Sequence, residues 1–266
     1  MRYQEFQLMP PLQPFVKVIW SMEDGGDNLT FEPTRILPDS CTELVIHFGD
    51  PYKTTFSDNN SSIQPQSFVV SQMKSFMKIQ ANGNTGFIAA RFTTEGFYRF
   101  FKKSLKAISN TEVALSDIWK NISREIEDKI YQAGDMKERS RVLQSFLYSI
   151  FCEAQIQSAN VIEYCIKEIR LTKGLLSIED LSSKTGISKR QLLRQFDHYV
   201  GLSPKEFSRI TKFLSSLNIL AKHPSKNLTA IAYEGGYYDQ AHFIHDFKEY
   251  SGLTPSEYLQ SSNVVY

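Results

Sequence analysis

The chain has 266 residues, of which 41% are hydrophobic and 22% are charged, and its formal net charge at pH 7 is +1. This length predicts about two domains with sizeable cores, and the composition is ordinary for a soluble globular protein. No apolar run approaches the roughly 18 residues that a membrane span needs, which excludes a membrane-spanning protein.

Three cysteines, Cys41, Cys152 and Cys165, are odd in number and lie far apart in the sequence. This pattern indicates reduced thiols and argues against a disulfide framework. Residues 1–6 lack the apolar segment of a secretory signal. We therefore expect a soluble, cytoplasmic protein.

The first third of the chain has the pattern of β-strands. Short runs rich in β-branched and aromatic residues occupy 15–20, 42–48, 67–72, 76–81 and 86–92. Turn-forming residues separate them, most clearly at 24–27 and 58–62. Several short strands that close on themselves form a small barrel or a sandwich, so the predicted fold class is α+β with an N-terminal β domain.

Polar side chains with ligand-binding chemistry are few in this β-rich region. Glu43 and His47 lie four residues apart on a predicted strand and therefore share a face. They have the chemistry to orient a ligand, although such residues more often bond each other or face solvent. His47 is the only histidine of the region, which excludes a metal site of three histidines.

From about residue 95 onward the apolar residues recur at helical spacing, with amphipathic segments near 116–132 and 138–170. A break around 157–160 predicts a domain boundary, which divides the chain into domains at 1–158 and 159–266. One apolar helix face fits either a dimer interface or ordinary core. It consists of Leu143, Phe146, Leu147, Ile150 and Phe151.

Two short helices joined by a glycine turn are predicted at 177–200. Ser177 is placed to cap the first helix, and Gly186 is placed to end it in the left-handed conformation. Ser188 and Gln191 have the spacing of a capping box at the start of the second helix. This is the helix-turn-helix layout, whose second helix can enter the major groove of DNA.

The second of these helices carries arginines on its predicted outer side. If Leu192 and Phe196 face the core, a rotation of about 100° per residue places Arg190 and Arg194 opposite them. The guanidinium fork matches the O6 and N7 atoms of guanine, and the start of the helix suits phosphate oxygens. These features are typical of a recognition helix.

A single amphipathic helix is predicted at 204–222, before a second helix-turn-helix unit at 228–251. The His-Pro pair at 223–224 ends this connector. Because a rigid connector sets the distance between the two recognition helices, we expect them to occupy two successive major grooves about 34 Å apart.

The second recognition helix has Phe243 and Phe247 on its predicted buried side, so Ala241, His245 and Lys248 point outward. A glutamine at 240 and an isoleucine at 244 lie on its flanks. Glutamine has the groups to bind adenine, whereas an alanine or isoleucine side chain contacts the thymine methyl group. The second helix is the less basic of the two.

A seven-residue segment occurs twice, as Gly-Leu-Ser-Pro-Lys-Glu-Phe at 201–207 and as Gly-Leu-Thr-Pro-Ser-Glu-Tyr at 252–258, 51 positions later. Each copy has a glycine that ends one helix and a capping box that begins the next. A repeated supersecondary unit is therefore predicted. Positive charge is concentrated there, because residues 170–260 hold 12 Lys+Arg against 9 Asp+Glu.

Three stretches carry a family resemblance: Leu-Leu-Arg-Gln-Phe at 192–196, the repeated segment, and Ile-Ala-Tyr-Glu-Gly-Gly-Tyr-Tyr-Asp-Gln-Ala-His-Phe-Ile-His-Asp-Phe-Lys at 231–248. In this order they resemble the DNA-binding domain of AraC/XylS-type transcription regulators, over about residues 160–260. The resemblance implies a bacterial activator or repressor that binds double-stranded DNA and has RNA polymerase as a partner.

The predicted DNA contacts are Ser188, Lys189, Arg190, Leu193, Arg194, Gln240, Ala241, Ile244, His245 and Lys248. The family pattern usually has arginine where this chain has His245, and often a small hydroxyl residue where it has Ile244. We therefore hypothesise that the first helix specifies the sequence while the second mainly docks. His242 and His245, near Asp239 and Asp246, are alternatively a zinc pair, although no third ligand of defined spacing follows.

The stretch Pro-Asp-Ser-Cys-Thr-Glu-Leu-Val-Ile-His-Phe-Gly-Asp at 38–50 resembles the cupin-like sensor domains of some regulators of this family. It implies a domain that binds a small effector, pairs subunits into a homodimer, or does both. Some relatives carry a methyl-accepting cysteine in a zinc site, which needs clustered cysteines that Cys41 lacks. The sequence does not predict which residues line an effector pocket.

Two classes of function follow from these patterns. The first is a sequence-specific DNA-binding transcriptional regulator with an N-terminal sensing or dimerisation domain and no catalysis. The second is an enzyme that processes a small molecule and has a regulatory helical tail. The sequence has no P-loop, no His-Glu-x-x-His and no Gly-x-Ser-x-Gly, so no catalytic residue, metal or cofactor is predicted.

Overall fold

A computed structural model of the chain describes residues 2–23, 32–101, 103–151 and 160–265. The strands are β1 Arg2–Phe6, β2 Val16–Glu23, β3 Thr34–Ile36, β4 Glu43–His47, β5 Lys53–Phe56, β6 Ser61–Ile63, β7 Ser67–Val70, β8 Met77–Gln80, β9 Gly86–Phe92, β10 Glu112–Ala114 and β11 Val264–Val265. The helices are α1 Leu115–Trp119, α2 Asn121–Gln132, α3 Met136–Ile150, α4 Asn160–Leu171, α5 Ile178–Thr185, α6 Lys189–Tyr199, α7 Pro204–Lys222, α8 Leu228–Glu234, α9 Gln240–Ser251 and α10 Pro255–Gln260.

The N-terminal β domain consists of two sheets packed face to face. One sheet has the order β1-β2-β9-β4-β7-β10 and the other has the order β11-β3-β8-β5-β6. Apolar residues from the inner faces of both sheets, including Val45, Phe68 and Met77, form one core cluster. The predicted α+β fold is confirmed, but the β domain is not a closed barrel. Within the described ranges the edge strands pair on one side only, which leaves a sandwich.

The predicted turn at 58–62 is wrong in its second half. Ser61 and Ser62 belong to β6, which pairs with β5 in a hairpin. The turn itself is tighter and has Asn59 at a positive φ of 67°, a conformation that asparagine tolerates. The predicted turn at 24–27 lies outside the described residues.

Helices α1 to α3 cover the outer face of the first sheet. The segment predicted as one helix near 116–132 is two helices, because Lys120 has a φ of 42° and interrupts it. The apolar face from Leu143 to Phe151 packs into the core with Leu44 and Ile88 of the sheet. This face is therefore core in the structure and does not need a second subunit to cover it.

The C-terminal part consists of two helix-turn-helix units, α5–α6 and α8–α9, joined by α7, as predicted. Gly186 ends α5 with a φ of 70°. Capping boxes begin α6 at Ser188, α7 at Ser203 and α10 at Thr254. The duplicated segments therefore supply the ends of α6 and α9 and the starts of α7 and α10.

The N-terminal and C-terminal parts of the chain contact each other directly. The tail strand β11 pairs in parallel with β3, and Arg35 Nη1 donates to the carbonyl oxygen of Ser251 over 2.9 Å. Lys74 and Glu206 form an ion pair of 2.6 Å. Leu37 belongs to the core of the C-terminal part. Residues 157–159 of the predicted boundary lie outside the described residues, so the division into two domains stays a prediction.

None of the helices in the described ranges combines the length and the apolar character that crossing a membrane requires.

Candidate nucleic-acid interface and ligand cavity

Helix α6 presents a basic face away from the core. Leu192 and Phe196 are fully buried, whereas Arg190 and Arg194 are exposed. Leu193, between the two faces, is 41% exposed. The capping box at the start of the helix fixes its first turn, so the two arginines lie one turn apart on an anchored helix.

The charged residues of this unit differ in whether they already have a partner. Lys189 forms an ion pair with Glu179, and the Ser188 hydroxyl accepts a hydrogen bond from the Gln191 amide. Within the described part of the chain, Arg190 and Arg194 make no ion pair. The arginines are therefore the cations of α6 that an external phosphate or base meets without displacing a protein carboxylate.

Helix α9 also has a buried apolar face and an exposed polar face, but it carries fewer lysines and arginines than α6. Phe243 and Phe247 are fully buried, and Ala241, His245 and Lys248 are exposed. The flanking residues at 240 and 244 are half-buried. The Gln240 side-chain oxygen accepts a hydrogen bond of 2.6 Å from the Thr229 hydroxyl, which orients this amide at the start of the helix.

The carboxylates beside the suggested zinc pair already bind an arginine side chain. Nη2 of Arg209 donates to Asp246 and Glu249 over 2.8 Å each, and His245 Nδ1 lies 3.6 Å from the same buried Asp246. Partial burial opposes the charge of Arg209, but these hydrogen bonds outweigh it and raise the pKa of the guanidinium. The arginine thus holds α9 against α7 where a cation would otherwise bind.

The tyrosines beside α9 are not among the residues that the sequence pattern predicts to contact DNA. Tyr237 is buried, but its neighbour Tyr238 is 85% exposed and Tyr233 is 62% exposed. Both exposed side chains belong to the second helix-turn-helix unit, one on α8 and one just before α9. Tyr233 lies where the helical period of α8 predicts solvent, whereas no periodic pattern covers Tyr238.

Among the described residues, the hydrogen bonds and ion pairs between the N-terminal part and α6 lie at the C-terminal end of that helix. Tyr98 Oη lies 2.9 Å from His198 Nε2, and Ser104 Oγ donates to the Asp197 carbonyl oxygen over 3.1 Å. Lys106 Nζ forms an ion pair of 3.0 Å with Asp197. A groove between the two parts of the chain is lined by Lys106 and by the exposed Arg190 and Arg194 of α6.

A cavity of about 510 Å³ lies between the two sheets. Glu43, Val45 and His47 of β4 line it, because alternate residues of a strand share a face. Residues 262–265 of the C-terminal tail also line it. The predicted shared face of Glu43 and His47 therefore opens into a cavity that both parts of the chain enclose.

Burial shifts the pKa values of two titratable side chains in the cavity, Glu43 and His47. Burial raises the pKa of Glu43 to about 7, although the indole Nε1 of Trp20 donates to Glu43 Oε1 over 2.7 Å. Burial lowers the pKa of His47 to about 4, and its Nε2 lies 3.1 Å from Gln64 Oε1. The imidazole is therefore neutral near pH 7, and Glu43 and His47 bond different partners.

Neither described cysteine belongs to a group of side chains placed to hold a metal ion. Cys41 and Cys165 are both buried and free, while Cys152 lies outside the described residues. Burial raises the pKa of the Cys41 thiol, although Lys17 Nζ approaches the sulfur to 2.8 Å. A neutral, buried thiol is a poor nucleophile.

Two families match parts of the chain. Residues 181–261 match the helix-turn-helix domain family, and residues 4–114 match a domain of unknown function, DUF6597. An uncharacterized HTH-type transcriptional regulator of Haemophilus influenzae is 33% identical over 109 residues, which cover 37% of this chain and 36% of that protein. The uncharacterized regulator YdeC of Bacillus subtilis is 25% identical over 88 residues, which cover 33% and 30%. The chain thus spans about a third of the length of these relatives.

Solved structures of similar proteins include ToxT from Vibrio cholerae, which is 14% identical over 97% of both chains with a TM-score of 0.47. A probable AraC family transcriptional regulator from Rhodopseudomonas palustris is 29% identical over 38% of this chain and 95% of that chain, with a TM-score of 0.35.

Proposed function

We propose that this chain is a sequence-specific DNA-binding transcriptional regulator of the AraC type, because residues 181–261 match the helix-turn-helix domain family and the matching regulator of Haemophilus influenzae is 33% identical over 109 residues. The observation that carries the proposal is the pair of exposed faces on α6 and α9. Each is the second helix of its unit, which is the helix that enters the major groove. The 19 residues of α7 form a connector about 28 Å long between the two units.

The first test is protection of DNA flanking the gene of this protein. We expect a footprint that spans two successive major grooves and an affinity that falls steeply as salt rises, because lysine and arginine contacts to phosphate release counterions. Absence of protection at any promoter, together with weak salt dependence, would contradict the proposal.

Within this function, α6 specifies the sequence and α9 mainly docks. In the described part of the chain neither Arg190 nor Arg194 forms an ion pair, whereas His245 lies beside the acidic pair that binds Arg209. We expect Arg194→Ala to weaken binding to the protected site by roughly 10- to 100-fold, the loss of one bidentate base contact at about 1–3 kcal/mol. His245→Ala should cost only a few-fold.

The matched control is Arg141→Ala on α3, which removes the same charge from an exposed position outside both units. It should leave the affinity unchanged. The assignment of roles is wrong if Arg194→Ala binds normally while His245→Ala abolishes binding.

An effector and two kinds of partner would regulate this activity. The cavity between the sheets would receive a small effector, RNA polymerase would be the partner whose activity the bound protein changes, and a second copy of the chain is a further candidate partner. The protein would act in the cytoplasm by binding alone, without catalysis or a cofactor. Transcription of the protected promoter by purified RNA polymerase, with and without the protein, tests for activation or repression.

A further inference from the structure

The cavity between the sheets contains a carboxylate that is only half satisfied. Glu43 Oε1 accepts the hydrogen bond from Trp20, and no donor in the described residues bonds Oε2. The side chain lines the cavity, so the second oxygen is available to a ligand. A buried carboxylate without a full set of partners is costly unless something compensates its charge.

The other charged residues that line the cavity do not neutralise the charge of Glu43. They are Asp39, Glu43 and Arg91. Arg91 forms an ion pair with Asp39, and burial keeps His47 neutral near pH 7. Asp39 and Arg91 cancel, so the lining has one net negative charge whenever Glu43 is ionised.

Aromatic rings line the same cavity as this carboxyl group. The Trp20 ring lies 4.9 Å from the ring of Phe87 and 5.6 Å from that of Tyr3, measured between centroids. Tyr52 and Phe68 also line the cavity. Ring faces attract cations within about 6 Å, and the attraction is larger where water is excluded.

We propose that this cavity binds an organic cation, an amine or quaternary ammonium on a compact apolar body, with Glu43 as the counter-ion and the aromatic rings as the walls. The proposal rests on the proposed function, in which the N-terminal domain receives a small effector. The volume of about 510 Å³ suits a small organic molecule. The raised pKa of Glu43 agrees with it, because a bound cation takes the place of the proton that burial favours.

An anionic ligand fits the cavity less well. The guanidinium of Arg91 is already paired with Asp39, and an added carboxylate would face the unpaired charge of Glu43. A neutral apolar ligand would fill the volume but would leave Glu43 without a counter-charge. The three ligand classes therefore differ in predicted affinity.

Three small probes separate these classes. Benzyltrimethylammonium is the cation, neopentylbenzene is its uncharged carbon isostere, and phenylacetate is an anion of similar size. Titration calorimetry on the full chain should show binding of the cation and an affinity at least about tenfold lower for the other two. No binding of the cation at millimolar concentration, or tighter binding of either other probe, would overturn the proposal.

Two isosteric variants locate the site. Glu43→Gln keeps the acceptor for Trp20 and removes the charge, so it should weaken cation binding about tenfold or more. Glu112→Gln is the control, because Glu112 is also a half-buried carboxyl, its Oε1 accepts hydrogen bonds from Thr54 and Gln64, and it does not line the cavity. It should bind the cation as wild type does. Equal affinity of wild type and Glu43→Gln, with both proteins folded by circular dichroism, would contradict the assignment.

Footprinting distinguishes this inference from the proposed function. Both variants should retain the DNA footprint, because neither residue lies on α6 or α9. A footprint without cation binding would refute the cation site and leave the regulator proposal intact. Cation binding without a footprint at any promoter would refute the regulator proposal and leave the site intact.

Discussion

Gly186 and Gly252 have the same backbone conformation but different surroundings. Their φ angles are 70° and 67°, in the left-handed region that favours glycine. A Cβ at Gly186 would meet nothing within 4 Å, whereas one at Gly252 would lie 2.4 Å from the Phe76 ring. The guanidinium of Arg35 lies over that ring, 4.4 Å from the ring centroid, so the ring cannot move without disturbing the contact between the N-terminal and C-terminal parts of the chain.

We therefore expect two different stability losses from the same substitution. Gly186→Ala should cost about 1 kcal/mol, the strain of a left-handed alanine. Gly252→Ala should cost about 2 kcal/mol or more, because a steric clash is added to that strain. Urea unfolding of both variants measures the difference. Equal losses of unfolding free energy would show that the Phe76 ring moves aside without cost.

The raised pKa of Glu43 predicts an unusual dependence of stability on pH. The carboxyl has a pKa of 4.5 in the unfolded chain and about 7 in the folded one, so between these values the folded state binds more protons. Stability contributed by this group is therefore complete below about pH 4.5 and is lost as pH rises towards 7.

Glu43→Gln removes that dependence. Between pH 5 and pH 8, wild type should lose on the order of 2 kcal/mol more unfolding free energy than the variant. Comparing the two proteins cancels the opposite contribution of His47, whose pKa is lowered. Parallel pH profiles from urea unfolding would show that Glu43 is ionised in the folded protein throughout this range.

At the scale of elements, α7 determines where the two recognition helices can bind. A continuous helix capped at Ser203 cannot stretch, so we expect the spacing between the two halves of the DNA site to be fixed. Inserting five base pairs between the halves rotates one by about half a turn, and inserting ten moves it about 34 Å away.

Both insertions should therefore remove the contribution of one recognition helix, while the same insertions outside the protected site should have no effect. Gel-shift titration of the four altered sites measures this. Full affinity with the ten-base-pair insertion would show that the connector bends or unfolds.

The helices could be predicted from the sequence because their signals are local. The serine or threonine of each capping box lies three residues from the glutamate or glutamine that completes it, and the buried faces follow the helical period. Strands β3, β6, β10 and β11 have only two or three residues each and escaped prediction. Their pairing depends on distant partners, which no local pattern encodes.

The same distinction applies to the two candidate sites. Each of the exposed faces of α6 and α9 belongs to a single helix, so the helical period of the sequence alone predicted where it lies. The cavity is lined by several strands and by the tail, and only the alternation of Glu43 and His47 along β4 pointed towards it. Its enclosure depends on tertiary contacts.

At the scale of the whole molecule, the tail joins the two parts of the chain. The Arg35 amide donates to Asn263 over 2.8 Å, and the Leu37 amide donates to Val265 over 2.9 Å. We expect deletion of residues 262–266 to speed hydrogen exchange at these two amides, because both lose their acceptors.

The Thr93 amide, which donates to Phe15 within the N-terminal domain, should exchange at its wild-type rate and serves as the control. Mass spectrometry or NMR of the full-length and shortened chains measures all three positions. Unchanged exchange at Arg35 and Leu37 would show that other contacts hold β3 in place.

Pairing of β3 with β11 also sets an order of assembly during synthesis. Arg35 pairs with Val264, and a ribosome adding about 5–20 residues per second needs roughly 10 to 50 s to make the chain between them. During that time one edge of β3 is open, a state that invites pairing with other chains. The last wall of the cavity is added only after α6 and α9 have been made, so under the proposed function a nascent protein would have both DNA-contacting helices before it has its complete ligand site.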